Sequence, residues 1–101
     1  MEKTNQLIWS NSAKQDLYEI YQYYSQFSVI SSNKLLDRII EKTSILKIVG
    51  FEKSGQVDEY NKDFRRLVVG NYKIFYKIAE STIVIVRIFN CSQNPKLIAK
   101  F

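Results

Sequence analysis

Between Phe64 and Ile78 the sequence reads FRRLVVGNYKIFYKI, with Arg65, Arg66, Lys73 and Lys77 set among Phe64, Phe75 and Tyr76. Cations interleaved with aromatic rings can track a phosphate backbone and stack on bases, or grip an acidic protein surface. A fixed guanidinium can also stabilise the charge that develops on a phosphorane. Strand cleavage by that route needs a proton carrier as well, and the chain contains no histidine, the side chain that most often serves. The carboxylates offer no other chemistry. Asp58, Glu59 and Asp63 fall in a polar stretch without His or Cys at metal-ligand spacing, so no metal and no other cofactor is expected. Asp16 and Glu19 fall on the polar side of a predicted helix, where solvation is the expectation. Cys91 is the lone cysteine and, without a histidine partner, reads as a packed thiol rather than a nucleophile.

Composition frames these residues. The chain has 101 residues, 46% of them apolar and 25% charged, which suits one globular domain over 1–101 with a single modest core. Fifteen Lys and Arg against ten Asp and Glu give a net charge of +5, which favours polyanions or acidic partners. No apolar run approaches the ~20 residues that span a bilayer. The polar start, Met1 to Gln6, is unlike a signal peptide. With a single cysteine, a reducing, cytoplasmic setting is expected and no membrane partner.

The elements that must position the cations can be read in order. Gln6–Trp9 reads as a strand. Ser12 with Gln15 has capping-box spacing for a first helix, whose stripe runs through Leu17, Ile20, Tyr21, Tyr24 and Phe27. Ser31 is placed to cap a second helix carrying Leu36, Ile39, Ile40, Thr43 and Leu46, which Gly50 ends. A polar loop follows, then strands over about 63–69, 72–79 and 82–90. The order β-α-α-β-β-β predicts an α+β fold, a two-helix hairpin packed on one face of a small, mainly antiparallel sheet.

Gly70-Asn71 suits a two-residue hairpin turn, which fixes the register: Leu67 faces Ile74 and Arg65 faces Tyr76, while Arg66 meets Phe75 and Val68 meets Lys73. For the last strand, a two-residue turn would bury Arg87 against Ile74 at a cost of several kcal/mol. A three-residue turn is therefore expected, with Val84, Val86 and Ile88 in the core and Arg87 opposite Lys73. The far face then holds Arg66, Lys73, Lys77 and Arg87 among Phe64, Phe75, Ile83, Ile85 and Phe89. An apolar, basic face of this size calls for a cover, either the C-terminal tail with its Lys96 or another chain.

The strand-then-helix opening LIWSNSAKQDLYEIYQYY, the hairpin RRLVVGNYKIFYKI and the following IVRIFNCSQNP together resemble the RelE/ParE superfamily of bacterial toxins from type II toxin–antitoxin systems. The resemblance covers nearly the whole chain and is most specific from Arg65 through Tyr76. It implies pairing of the first strand beside the last, and a growth-inhibiting toxin neutralised by a cognate antitoxin, in systems associated with plasmid stabilisation. It also implies one of two actions: binding of DNA gyrase, as in ParE-like members, or ribosome-dependent mRNA cleavage, as in RelE-like ones. The RelE-like arginine four residues before the tyrosine after the turn is here Val68, and the tail CSQNPKLIAKF has neither Tyr nor Arg. These departures favour the ParE-like branch and a protein that is not an enzyme. Were the chain a nuclease, Arg65, Arg66, Lys73 and Arg87 would be the catalytic candidates. As a binding protein it would use Phe64, Arg66, Lys73, Phe75, Lys77, Arg87, Phe89 and Lys96 for target or antitoxin. A third reading is an inactive toxin fold that only binds its antitoxin.

Overall fold

A computed structural model describes residues 4–91. The chain runs β1 (Gln6–Trp9), α1 (Asn11–Ser25), α2 (Val29–Ser44), a single 3₁₀ turn (Ile45–Lys47), β2 (Gln56–Val57), β3 (Arg65–Val69), β4 (Tyr72–Ala79) and β5 (Thr82–Asn90). The five strands form one sheet in the order β1-β5-β4-β3-β2. β1 lies parallel to β5 and the other pairs are antiparallel. The α+β class, the helical hairpin and the first strand beside the last are as expected. No helix among the described residues is long and apolar enough to cross a membrane.

Both helices begin earlier than their capping signals suggest. Ser10, not Ser12, caps α1 by accepting from the Ala13 amide, and Ser28, not Ser31, caps α2 by accepting from the Ser31 amide. The physical reason lies in tertiary contacts. The Ser10 hydroxyl also donates to the Val86 carbonyl at 2.8 Å, so the residue that ends β1 starts α1 against β5. Ser32, one turn inside α2, is buried and donates to the Tyr21 carbonyl of α1, which locks the two helices together.

The core lies between the helices and one face of the sheet. Ala13, Ile39 and Leu46 meet Leu67, Val69, Tyr72, Ile74, Tyr76, Ile83, Ile85 and Ile88, with Leu17, Ile20 and Tyr24 packed at the margin. Ile40, expected in this core, is exposed, because Ile39 takes the inward position of that turn. The β3–β4 register is the expected one, with Leu67 on Ile74 and Arg65 on Tyr76. Gly70 holds φ +57° in the connecting turn, a conformation open to glycine without a Cβ penalty.

β5 departs from expectation. Ala79 pairs with Thr82, so the turn is Glu80-Ser81, two residues rather than three, with Glu80 at φ 58°. From that turn Ile83 and Ile85 face Ile78 and Tyr76 and enter the core, while Val84 and Val86 lie on the other side. The register then shifts: Tyr76 pairs with Ile85, but Phe75 pairs with Arg87, leaving Val86 as an extra residue. This bulge brings Ile88 back under the helices opposite Ile74 and turns Arg87 outward. Arg87 therefore faces Phe75, and Lys73 faces Phe89 instead of Arg87.

The loop before β3 is fastened by Tyr76, which is fully buried. Its hydroxyl donates to the Glu52 carbonyl at 2.9 Å and accepts from the Gly55 amide at 2.8 Å. A Cβ on Gly55 would lie 2.6 Å from the Arg66 carbonyl oxygen and 2.7 Å from that hydroxyl, so only glycine fits this approach. Burial holds the Tyr76 phenol above its ordinary value of 10.0, an effect only partly offset by its bond to Gly55 and by Arg65.

Three stability outcomes are expected in urea melts. Ile39→Ala or Ile74→Ala should cost about 2–5 kcal/mol. Gly55→Ala should cost about 1–3 kcal/mol through overpacking. Tyr76→Phe should cost about 1–3 kcal/mol by leaving Glu52 and Gly55 backbone groups unpaired. The last variant also has a pH signature. Since folding raises the Tyr76 pKa, its contribution is complete below pH 10.0 and is lost as pH rises through the higher folded value. Wild type should lose stability over that alkaline range more steeply than Tyr76→Phe.

Candidate functional site

The site begins at the bulge, where β1 runs out as a partner for β5. The last Cα pair is Trp9 with Ile85, and the Ser10 amide then donates to the Ile85 carbonyl at 2.9 Å. Beyond it the outer edge of β5 is met by α1. The Asp16 carboxylate accepts from the Ile88 amide at 2.9 Å, taking the place of a missing strand. The same carboxylate holds Arg87 by two bonds, Nε at 2.7 Å and Nη2 at 3.0 Å. The guanidinium carbon also lies 4.8 Å from the centre of the Phe89 ring. Arg87 is thus fixed in direction by a carboxylate fork and a ring face. Asp16, expected to be solvated, is largely buried in this role.

The other two arginines are fixed as firmly. Arg66 donates to Asp58 at 3.0 Å, and Asp58 is buried. The second Asp58 oxygen accepts from the amides of Tyr60 and Asn61 at 2.9 and 2.8 Å, a local turn that points the carboxylate at Arg66. Arg65, on the helix side opposite Tyr76, donates to the Gly55 carbonyl at 2.8 Å and to that of Lys53 at 3.4 Å. Lys73 and Lys77 make no ion pair among the described residues. On the far face Phe64, Phe75 and Phe89 form a second buried cluster with Val86 beside them. Lys96 lies outside the described residues, as does the tail expected as a possible cover.

The candidates therefore divide into groups. Arg66, Lys73, Phe75, Lys77, Arg87 and Phe89 share the far face, with Phe64 in its aromatic cluster, while Arg65 is turned away into the loop before β3. Ile83 and Ile85, expected on that face, belong to the core. A cleft of about 410 Å³ opens beside Arg87, lined by Asp16, Glu19, Tyr23, Tyr24, Tyr72 and Asn90 among others. Burial, together with the neighbouring Tyr24 hydroxyl at 3.4 Å, pushes the Tyr72 phenol well above its ordinary value. No group of three or more His, Cys, Asp or Glu among the described residues is placed to hold a metal ion.

A sequence model of the family described as "ParE toxin of type II toxin-antitoxin system, parDE" matches residues 7–95. The chain belongs to the ParE toxin family. Similar solved structures agree in fold. One, from the chromosomal ParDE system of P. aeruginosa, is 24% identical with a TM-score of 0.75, covering 85% of this chain and 95% of that one. A conserved hypothetical protein of Helicobacter pylori is 13% identical with a TM-score of 0.59, covering 88% and 97%. The RelBE2 toxin–antitoxin complex of Mycobacterium tuberculosis is 17% identical with a TM-score of 0.52, covering 89% and 97%. No curated protein matches the chain.

In this ParE-family chain, sequence reasoning missed the residues that orient the cations. Asp16 is far in sequence from Arg87 and Asp58 lies in the loop before β3, and which arginine each meets is fixed only by the fold. The one local signal was that Arg87 follows an apolar IVIV run and needs a counter-charge if it is not to be stranded. Removing Asp16 should therefore cost more than a surface ion pair. Asp16→Ala should destabilise by about 1–3 kcal/mol, since it also orphans the Ile88 amide. Asp16→Asn, which keeps an acceptor for that amide, should cost less. Denaturant melts of the two variants check the order.

Proposed function

We propose that this chain is a toxin neutralised by a cognate antitoxin, and that it acts by binding a protein target such as DNA gyrase rather than by cleaving RNA. The observation that carries this reading is the engagement of all three candidate arginines. Arg66 and Arg87 are already neutralised by Asp58 and Asp16, and Arg65 is spent on loop carbonyls. To grip a phosphorane, Arg66 or Arg87 would first have to give up a hydrogen-bonded carboxylate, and such exchange opposes the preorganisation that catalysis exploits. A protein surface asks less. It can meet a guanidinium held flat and oriented, with Lys73 and Lys77 supplying charge and steering nearby.

The antitoxin part draws on the same surface. Exposed Val68 beside lysines on a net-positive chain suits apolar anchors flanked by Asp or Glu. The similar structures from P. aeruginosa and Mycobacterium tuberculosis come from toxin–antitoxin systems, the latter as a toxin–antitoxin complex. Coexpression with the antitoxin should raise yield and solubility, and a cytoplasmic setting follows from either target.

The deciding experiment compares two readouts in cells expressing the protein. Plasmid supercoiling should change and codon-positioned mRNA cuts should be absent by primer extension. Lys73→Ala and Lys77→Ala should each weaken target binding by at most about 2 kcal/mol, as expected of individual contacts at an interface. Clean mRNA cuts abolished by Arg66→Ala would establish the ribonuclease reading instead. Neither effect, with antitoxin binding intact, would leave a toxin fold that only pairs with its antitoxin.

A further inference from the structure

The cleft between α1 and the end of β5 has a character opposite to the rest of the chain. The protein carries +5, yet among the described residues that line this cleft two carboxylates, Asp16 and Glu19, stand against one guanidinium, Arg87. Asp16 is consumed by Arg87 and by the Ile88 amide. Glu19 is exposed and accepts from the neutral Gln15 amide at 3.2 Å, and it makes no ion pair among the described residues.

Three tyrosines wall the same cleft. The Tyr23 and Tyr24 rings meet edge to face with centroids 5.2 Å apart, and Tyr24 meets Tyr72 at 6.5 Å and 74°. Their arrangement is rigid where it matters, since Tyr72 is buried and its hydroxyl lies 3.4 Å from that of Tyr24. Tyr23 is 56% exposed and presents an open ring at the mouth. Phenol oxygens offer lone pairs to N–H donors, and ring faces attract cations. A phosphate or carboxylate could accept an O–H from a tyrosine, but it would meet the carboxylate of Glu19 in the same cleft.

We propose that this cleft receives an arginine side chain from a protein partner. Guanidinium fits better than ammonium because it is flat enough to lie on a tyrosine ring while its N–H groups fan toward a carboxylate and hydroxyls. A volume of about 410 Å³ accommodates one long side chain with part of its backbone. The partner would thus combine acidic or apolar contacts to the lysine-bearing far face with one basic anchor at this edge. That reversal of sign along the interface fixes orientation, since a rotated partner would bring like charges together. The inference goes beyond the proposed function, and its failure would leave the supercoiling outcome untouched.

The test is an NMR titration of the full chain with the peptide acetyl-Ala-Ala-Arg-Ala-Ala-amide, beside the same peptide with neutral citrulline for arginine. Saturable shifts are expected at the Tyr23, Tyr24, Tyr72 and Asn90 resonances with the arginine peptide. Citrulline should bind at least about fivefold more weakly, the scale of one charge-assisted or cation–π contact. Glu19→Gln and Tyr23→Ala alter exposed side chains, so both should fold, and each should weaken the arginine peptide by a similar factor. Equal binding of the citrulline peptide, saturable shifts confined to another surface, or no saturable shift would each overturn the proposal.

Discussion

Arg87 cannot stay where strict alternation would put it, and much of the structure is arranged around that constraint. A two-residue turn at Glu80-Ser81 sends Ile83 and Ile85 into the core, and continued alternation would send Arg87 in after them. An unpaired guanidinium in that position would cost far more than a local disruption of the ladder. The extra residue at Val86 is that disruption. It resets the register so that Ile88, not Arg87, faces Ile74. The bulge leaves the ladder irregular just where β1 ends, and there Ser10 and Asp16 supply the missing bonds to Ile85, Val86 and Ile88.

The same arrangement shows why net charge is a poor guide to what this surface presents. Of the four arginines that contribute to the +5, Arg65, Arg66 and Arg87 are each bound to an internal acceptor. Asp58 and Asp16 cost little to bury because each accepts backbone amides as well as its arginine. Held this way, Arg66 and Arg87 act as shaped surface more than as free charge. On the same face Lys73 and Lys77 make no ion pair among the described residues.

Most of the architecture was legible in the sequence. Gly70-Asn71 fixed the β3–β4 register, and two helical stripes placed Leu17, Ile20, Ile39 and Tyr24 correctly because local period and turn chemistry decide such features. The β5 register was misplaced for an instructive reason. The physical demand, that Arg87 avoid Ile74, was right, but it can be met by lengthening the turn or by bulging the strand, and single-sequence alternation does not distinguish them. The helix starts failed likewise. Ser10, Ser12, Ser28 and Ser31 are all competent caps, and contacts with Val86 and between the helices chose among them. The candidate site was legible as a set of residue types, not as a charge map, because the carboxylates that neutralise Arg66 and Arg87 lie 8 and 71 positions away.

The clamp and the cleft are one construction. Asp16 holds Arg87 toward Phe89 and so shapes one wall, while the helix that carries Asp16 also carries Glu19, Tyr23 and Tyr24 to the opposite side. Residues 16, 19, 20, 23 and 24 recur at helical spacing, so anchoring α1 at Asp16 aims the whole row at the end of β5. Loosening the Asp16–Arg87 bond would therefore do two things at once: unpair the Asp16 carboxylate from Arg87 and release the register of the tyrosines. Stability at the strand edge and the sign of the cleft are set by the same carboxylate, which ties what this end of the molecule can bind to how it folds.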